Sequence, residues 1–102
     1  MLPSLVLQFE RLAAAEIQLL PVPEVTTHFV FEREGCVVLV ERRGEGFGSI
    51  GSPGLLIAGG FAALVTRDRQ DWFVGKGESR AAAGAEASAA RRLYRDLRDI
   101  LG

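Results

Sequence analysis

The sequence predicts an α+β fold in which an antiparallel sheet of four to five strands is flanked by an N-terminal and a C-terminal helix. Two apolar runs, residues 36–40 and 61–65, are too short for independent helices and lack polar alternation, which is typical of strands covered on both faces. Turn residues beside each run predict two hairpins joined by a Gly-rich connection, and apolar residues at helical spacing occupy both ends of the chain. The length of 102 residues fits one domain, covering residues 1–102.

The N-terminal helix is predicted from residue 4 to residue 20, where apolar side chains recur every three or four positions. Ser4 is placed to cap its first turn, and Pro21 with Pro23 ends it. Its apolar stripe consists of Leu5, Val6, Phe9, Leu12, Ala13, Ile17 and Leu20. Because this stripe needs a partner surface, we expect the helix to lie on the core.

The first hairpin is predicted from the β-branched and aromatic residues 26–32 and the apolar run 36–40. Glu34 and Gly35 fit a two-residue turn, in which Gly35 supplies the positive φ that such turns need. This turn fixes the register and therefore the side chains on each face of the sheet. One face carries Phe31 opposite Val38 and Phe29 opposite Val40, and the other carries Val30, Val37 and Leu39.

The second hairpin repeats this arrangement, with strands at residues 61–66 and 72–75 on either side of a polar turn. Trp72 and Val74 alternate onto one face of the last strand, where Trp72 is expected to be a core or interface anchor. Residues 44–60 between the hairpins are rich in glycine. We therefore expect a flexible connection there, with at most a short edge strand.

The C-terminal helix is predicted from residue 79 to residue 101. Arg92 with Asp96 and Arg95 with Asp99 form i, i+4 pairs, which we expect on its exposed side. The buried stripe consists of Ala83, Ala87, Ala90, Tyr94, Leu97 and Leu101, widened by Leu93 and Ile100.

The charge distribution argues against a nucleic-acid partner. The formal net charge is −1, with four Arg against seven Glu in residues 1–51 and eight basic against six acidic side chains in residues 52–102. Neither half has the one-signed character of a polyanion binder. The arginines of the last helix are interspersed with Asp96 and Asp99, which halves the local charge.

The same composition predicts a cytoplasmic protein without a membrane partner. The single cysteine, Cys36, cannot form an internal disulfide and lies in an apolar run, as a buried thiol does. The first residues lack the basic region of a secretory signal, and Glu10, Arg11 and Glu16 interrupt the first apolar segment. No stretch of the sequence has the length of a membrane span.

Residues 46–51 form a G-x-G-x-x-G pattern directly after a predicted strand. In a dinucleotide-binding fold this pattern must open a helix, so that the phosphates meet the helix N-terminus. Here Pro53 and Gly54 follow, and that context is missing. A flexible connection is the favoured interpretation. The alternative is an anion-binding nest of backbone amides, with Gly46, Phe47, Gly48, Ser49 and Gly51 as candidate ligand-binding residues.

No catalytic residue, metal ligand or cofactor site is predicted. His28 and Cys36 could suggest a base and a nucleophile, but the predicted register separates them by about 17 Å along the hairpin. The same two side chains do not make a metal-binding set. His28 lies near Glu41 in this register and could form a weak pH-responsive pair.

Two hypotheses for the function follow, and the favoured one is not an enzyme. It is an interaction module that forms a homodimer or docks a protein partner through one sheet face, with Val30, Val37, Leu39 and Trp72 as candidate interface residues. The argument is that both helices would cover the face of Phe31 and Val38 and leave the other face open. The alternative is a small-ligand-binding domain or minor enzyme that uses the Gly-rich residues 44–54 as a lid.

Overall fold

The computed structural model describes residues 3–22, 25–44, 46–57, 60–76 and 78–101. Within these residues, seven strands form one antiparallel sheet in which every strand pairs with its neighbours in chain order. The elements are α1 (Pro3–Ala14), β1 (Gln18–Leu20), β2 (His28–Arg33), β3 (Cys36–Arg43), β4 (Gly46–Ile57), β5 (Gly60–Arg67), β6 (Gln70–Gly75), β7 (Glu78–Ala81) and α2 (Gly84–Leu101). The α+β class, the antiparallel sheet and the flanking helices are confirmed. The predicted number of four to five strands is wrong, because β1, β4 and β7 were not predicted as full members of the sheet.

The helix α1 ends at Ala14, six residues before the predicted end. The Ile17 amide donates to the Leu12 carbonyl at 2.9 Å, and the Glu16 amide donates to the Ala13 carbonyl at 3.0 Å. Together with the positive φ of 62° at Glu16, these two bonds form a Schellman motif. Leu12 and Ile17 both belong to the predicted apolar stripe and are both buried, although Ile17 lies beyond the helix. The chain then turns into the short edge strand β1.

The β2–β3 hairpin has the predicted turn and register. Glu34 and Gly35 have φ values of 55° and 83°, the positive values of a type I′ turn. The strands pair Phe31 with Val38 and Phe29 with Val40, as predicted. The second hairpin, β5–β6, turns in the same way at Asp68 and Arg69, which have φ values of 52° and 63°.

The Gly-rich segment is the strand β4, which pairs with β3 on one side and β5 on the other. The prediction of a flexible connection is therefore wrong. Between Val38 and Val40, and again between Val40 and Arg42, the register shifts by one residue, so β4 carries two bulges. Glycine also allows close packing here, because a side chain at Gly54 would collide with the Ala62 carbonyl oxygen and the Phe61 ring.

The helix α2 begins at Gly84 rather than at residue 79, because residues 78–81 pair with β6 as the edge strand β7. The Glu86 carboxylate accepts a hydrogen bond from the Ala83 amide at 3.1 Å and caps the first turn. Arg80 donates to both oxygens of the same carboxylate, at 2.8 and 3.1 Å. This ion pair ties the start of α2 to β7.

Both helices pack on the same face of the sheet, the one that carries Phe31 and Val38. We call it the helix-covered face. The helices contact each other, and α2 lies across β3 and β4. The molecule is only 19 Å thick along its shortest axis, as expected of two layers. The buried core between them consists of Leu12, Ile17, Phe31, Cys36, Val38, Val40, Leu55, Ala62, Phe73, Ala82, Ala87, Ala90, Leu93 and Leu97.

Two further arginines, Arg33 and Arg91, join α2 to the sheet. Arg33 of β2 forms an ion pair with Asp96 at 2.9 Å and also donates to the Ala15 carbonyl at 3.2 Å, so it joins β2, α2 and the end of α1. Arg91 of α2 donates to both carboxylate oxygens of Asp71 on β6, at 2.6 and 3.1 Å. The Arg91 contact is bidentate and the Arg33 contacts are partly buried, and together they fix the position of α2 on the sheet.

Candidate interaction surface on the helix-free face

The opposite side of the sheet, which we call the helix-free face, also carries a set of apolar side chains. Because side chains alternate along a strand, every second residue points to this face, and the residues between them point into the core. Its apolar members occur on six neighbouring strands, from β1 to β6. They are Leu20, Val30, Val37, Leu39, Leu56, Phe61, Ala63, Val65, Trp72 and Val74.

The four predicted interface residues all lie on this face, but in two different environments. Val30 is 4% exposed and Val37 is 1% exposed, so both are already buried within one chain. Leu39 and Trp72 remain partly exposed. Val37 pairs with Gly54, against which the Phe61 ring packs. Val30 and Val37 can therefore form only the buried layer under a contact surface, whereas Leu39 and Trp72 can contact a partner directly.

Several members of the face were missed by the sequence analysis. Leu56 is 50% exposed and points away from the core, between Leu55 and Ile57, which pack into it. Phe61 and Val65 of β5 are partly exposed on the same face. The signal was present in the apolar run of residues 61–65, because alternate side chains of a strand lie on opposite faces of the sheet, but this run was predicted only as a strand covered on both faces.

Charged side chains lie at the margins of the helix-free face. Glu32 lies on it near the β2–β3 turn, and Glu41 lies at the other end of this hairpin, where it is paired with Arg43 at 2.8 Å. Arg67 lies on it at the end of β5. The face therefore has an apolar centre and charged residues at its margins, which is the general anatomy of a protein interface.

The candidate ligand-binding residues, Gly46, Phe47, Gly48, Ser49 and Gly51, are strand residues of β4. Phe47 points to the helix-covered face, where its ring centroid is 5.1 Å from Phe29 and 5.7 Å from Phe9. A side chain at Gly48 would collide with the Glu41 carboxylate on the other face. A lid at residues 44–54 does not fit a strand paired in this way, and a ligand at these five residues stays a prediction.

His28 and Cys36 lie at opposite ends of the β2–β3 hairpin, opposite Glu41 and Arg33 respectively. Cys36 is 1% exposed, and burial raises the pKa of its thiol, helped by the nearby carboxylates of Glu34 and Glu86. A thiol with a raised pKa is a weak nucleophile because little of it is ionised. This environment suits a core residue.

The described parts of the chain contain no helix long and apolar enough to cross a membrane. They also contain no group of three or more His, Cys, Asp and Glu side chains placed to hold a metal ion. No protein-family model, no curated protein and no solved structure matches this chain.

Proposed function

We propose that this protein is a self-association module in which the helix-free face packs against the same face of a second copy. The observation that carries the proposal is the position of the two helices. Both α1 and α2 cover the face of Phe31 and Val38, so the other face has no helix over it among the described residues. A domain of two layers normally buries the apolar faces of its sheet, and a second sheet would complete this burial.

The character of the helix-free face supports a protein partner. Exposed and partly exposed apolar residues lie on four neighbouring strands of this face, with Leu39 on β3, Leu56 on β4, Val65 on β5 and Trp72 on β6. An apolar patch that extends over several strands marks an interaction surface, whereas single exposed apolar residues do not. Trp72 supplies the large aromatic anchor that is enriched at the centre of interfaces.

A second copy is the partner favoured by the charges at the margins. In a two-fold arrangement each copy presents the same patch to the other. Turning one sheet over the other can bring Glu32 of one copy toward Arg67 of its partner, and the two-fold axis repeats this contact. These opposite charges would then orient the two sheets while the apolar centres meet.

The proposal is tested by measuring mass and fluorescence as the protein is diluted. Light scattering should give twice the mass of one chain at high micromolar concentration. Trp72 is the chain's single tryptophan and lies on the proposed interface, so its emission should move to shorter wavelength as the dimer forms. Leu56→Glu places a charge in the apolar patch and should weaken dimerisation by at least about tenfold.

The matched control is Leu7→Glu. Leu7 is 46% exposed on α1, close to the 50% of Leu56, but belongs to the helical layer. This variant should dimerise as the wild type does. A strict monomer at high micromolar concentration would overturn the proposal, and so would an equal loss of dimer in both variants.

A further inference from the structure

A groove of about 660 Å³ lies at the edge of the sheet, where the pairing of β1 with β2 ends. The last paired residue of β1 is Leu20, opposite Val30. The chain continues past this point, and the Val25 amide donates to the Val22 carbonyl at 3.0 Å. The start of β2 at His28 therefore has no β1 partner, and a hollow opens beside it. Its volume lies within the range of small-molecule sites.

The walls of the groove are mostly apolar. Leu20, Val22, Val25 and Val30 form one continuous lining, with Phe29 beside them. The groove is only partly closed, so a ligand would keep one side in water. This arrangement suits a narrow, flexible apolar chain that lies along the groove.

One positive charge lies at the polar end of this lining. The Arg42 guanidinium lies over the Phe29 ring, with its central carbon 4.1 Å from the ring centroid. The Arg42 amide donates to the Thr27 carbonyl at 2.9 Å, which anchors the backbone of this residue beside the groove. Stacking on an aromatic ring engages the flat face of a guanidinium, whereas its N–H donors lie in its plane and remain directed outward.

His28 also lines the groove, although its position opposite Glu41 directs its side chain to the other side of β2 from Phe29 and Arg42. Its Nδ1 atom is 2.8 Å from the Thr27 hydroxyl, a contact that orients the ring beside the groove. Thr26 also lines the groove. The polar lining residues thus flank Thr27, whose carbonyl binds the Arg42 amide, whereas Leu20, Val22 and Val25 supply the apolar lining.

We infer that this groove binds a small amphipathic carboxylate, with its apolar chain along Leu20, Val22 and Val25 and its carboxylate on the Arg42 guanidinium. The carboxylate is the head group favoured by the planar array of arginine donors, which matches two oxygens at once. The apolar lining requires a hydrocarbon tail rather than a sugar or a nucleotide. Leu20 and Val30 line the groove and also lie at one side of the helix-free face, but the inference does not depend on the proposed self-association.

The test adds straight-chain carboxylates as probes to the 102-residue chain, at concentrations below micelle formation. Amide shifts in nuclear magnetic resonance spectra should change at Val25, Thr26 and His28 when octanoate is added. Affinity should rise with chain length from hexanoate to decanoate, by up to about fourfold for each added methylene. Octanol, which has the same chain without the charge, should bind at least about tenfold more weakly than octanoate.

Two arginine variants locate the head group. Arg42→Gln should weaken octanoate binding by about tenfold or more and leave octanol binding unchanged. Arg43→Gln is the matched control, because Arg43 is the next residue of β3 and points to the other face, toward Glu41. It should bind octanoate as the wild type does.

Three results would overturn the inference. The first is equal affinity for octanol and octanoate, which would remove the role of the charge. The second is equal weakening by Arg42→Gln and Arg43→Gln. The third is a set of amide shifts spread over β5 and β6 instead of the groove, which would mean that the chains bind the helix-free face.

Discussion

Both faces of the sheet carry many apolar side chains, but these side chains differ in how far they are buried. On the helix-covered face, Phe31, Val38 and Phe73 are at most 1% exposed beneath α1 and α2. On the helix-free face, Val30 and Val37 are buried, whereas Leu56 is 50% exposed. The comparison teaches that a continuous apolar strand places apolar side chains on both faces of the sheet, because successive side chains point to opposite faces. Which side becomes core depends on where the helices pack.

The polar contacts follow the same division. The bidentate pair of Arg91 with Asp71 and the contacts of Arg33 with Asp96 and Ala15 all join a helix or its end to the sheet. They fix the helices on one side. The helix-free face has an ion pair at its margin, between Glu41 and Arg43, and this pair lies within one strand.

The largest expected difference between the faces comes from placing the same charge on adjacent residues of β3. Val38 is fully buried on the helix-covered face, and an unpaired carboxylate there costs more than about 4 kcal/mol. Because small domains are stable by about 5–15 kcal/mol, Val38→Asp should leave the protein largely unfolded by circular dichroism. Leu39→Asp should keep the fold, lose about 1 kcal/mol of unfolding free energy and mainly disrupt association. Equal unfolding by both changes would mean that the two faces are equally internal.

A smaller effect is expected from two glycine-to-alanine changes. At Gly54 an added methyl group would collide with the Ala62 carbonyl oxygen and the Phe61 ring, so Gly54→Ala should lower the free energy of unfolding by about 1–3 kcal/mol. At Gly84, the first residue of α2, no neighbouring atom occupies the place of an added methyl group. Gly84→Ala should therefore raise the free energy of unfolding by up to about 1 kcal/mol. Urea titration of both variants measures the difference. A neutral Gly54→Ala would show that the helix-free face is loosely packed where Phe61 covers it.

The smallest expected effect concerns the link between β6 and α2 at low pH. Hydrogen bonds from Arg91 and Thr66 lower the pKa of Asp71 below its ordinary value of 3.8. A carboxylate with a lowered pKa stabilises the folded state above 3.8, and this contribution is lost as the pH falls through the lowered value. The difference in unfolding free energy between wild type and Asp71→Asn should therefore be constant near neutral pH and shrink below 3.8. Arg91→Gln removes the same ion pair from the helix side, so its difference from wild type in unfolding free energy should also shrink below 3.8. A difference that stays constant down to strong acid would contradict the contribution assigned to Asp71.

The features that were predicted from the sequence are those encoded over a few residues. Glu34 and Gly35 specified the first hairpin turn, and that turn fixed the pairing of Phe31 with Val38. The end of α1 was missed because Glu16 takes the positive φ usually given to glycine, and the helical spacing of Ile17 continues past the helix. The pair of Arg92 with Asp96 was predicted within α2, but Asp96 lies 2.9 Å from Arg33 of β2. Local spacing could not reveal a partner that comes from another layer.

The candidate surface was predicted only in part for the same reason. Alternation placed Val30, Val37, Leu39 and Trp72 on one face, but it could not show that Val30 and Val37 are covered within the chain. That burial depends on the neighbouring strands, including the contact of the Phe61 ring with Gly54. The groove beside Arg42 was not predicted, because its walls come from β1, β2, β3 and the residues between β1 and β2.

The sequence by itself determined the two hairpins, the register of the first one and the two amphipathic helices, because turn geometry and side-chain periodicity act over a few residues. The tertiary structure alone decided that the glycine-rich segment becomes β4 and that both helices pack on the face of Val38. These outcomes depend on pairing and packing between distant residues. A glycine-rich strand has little preference of its own and takes its conformation from the strands on either side.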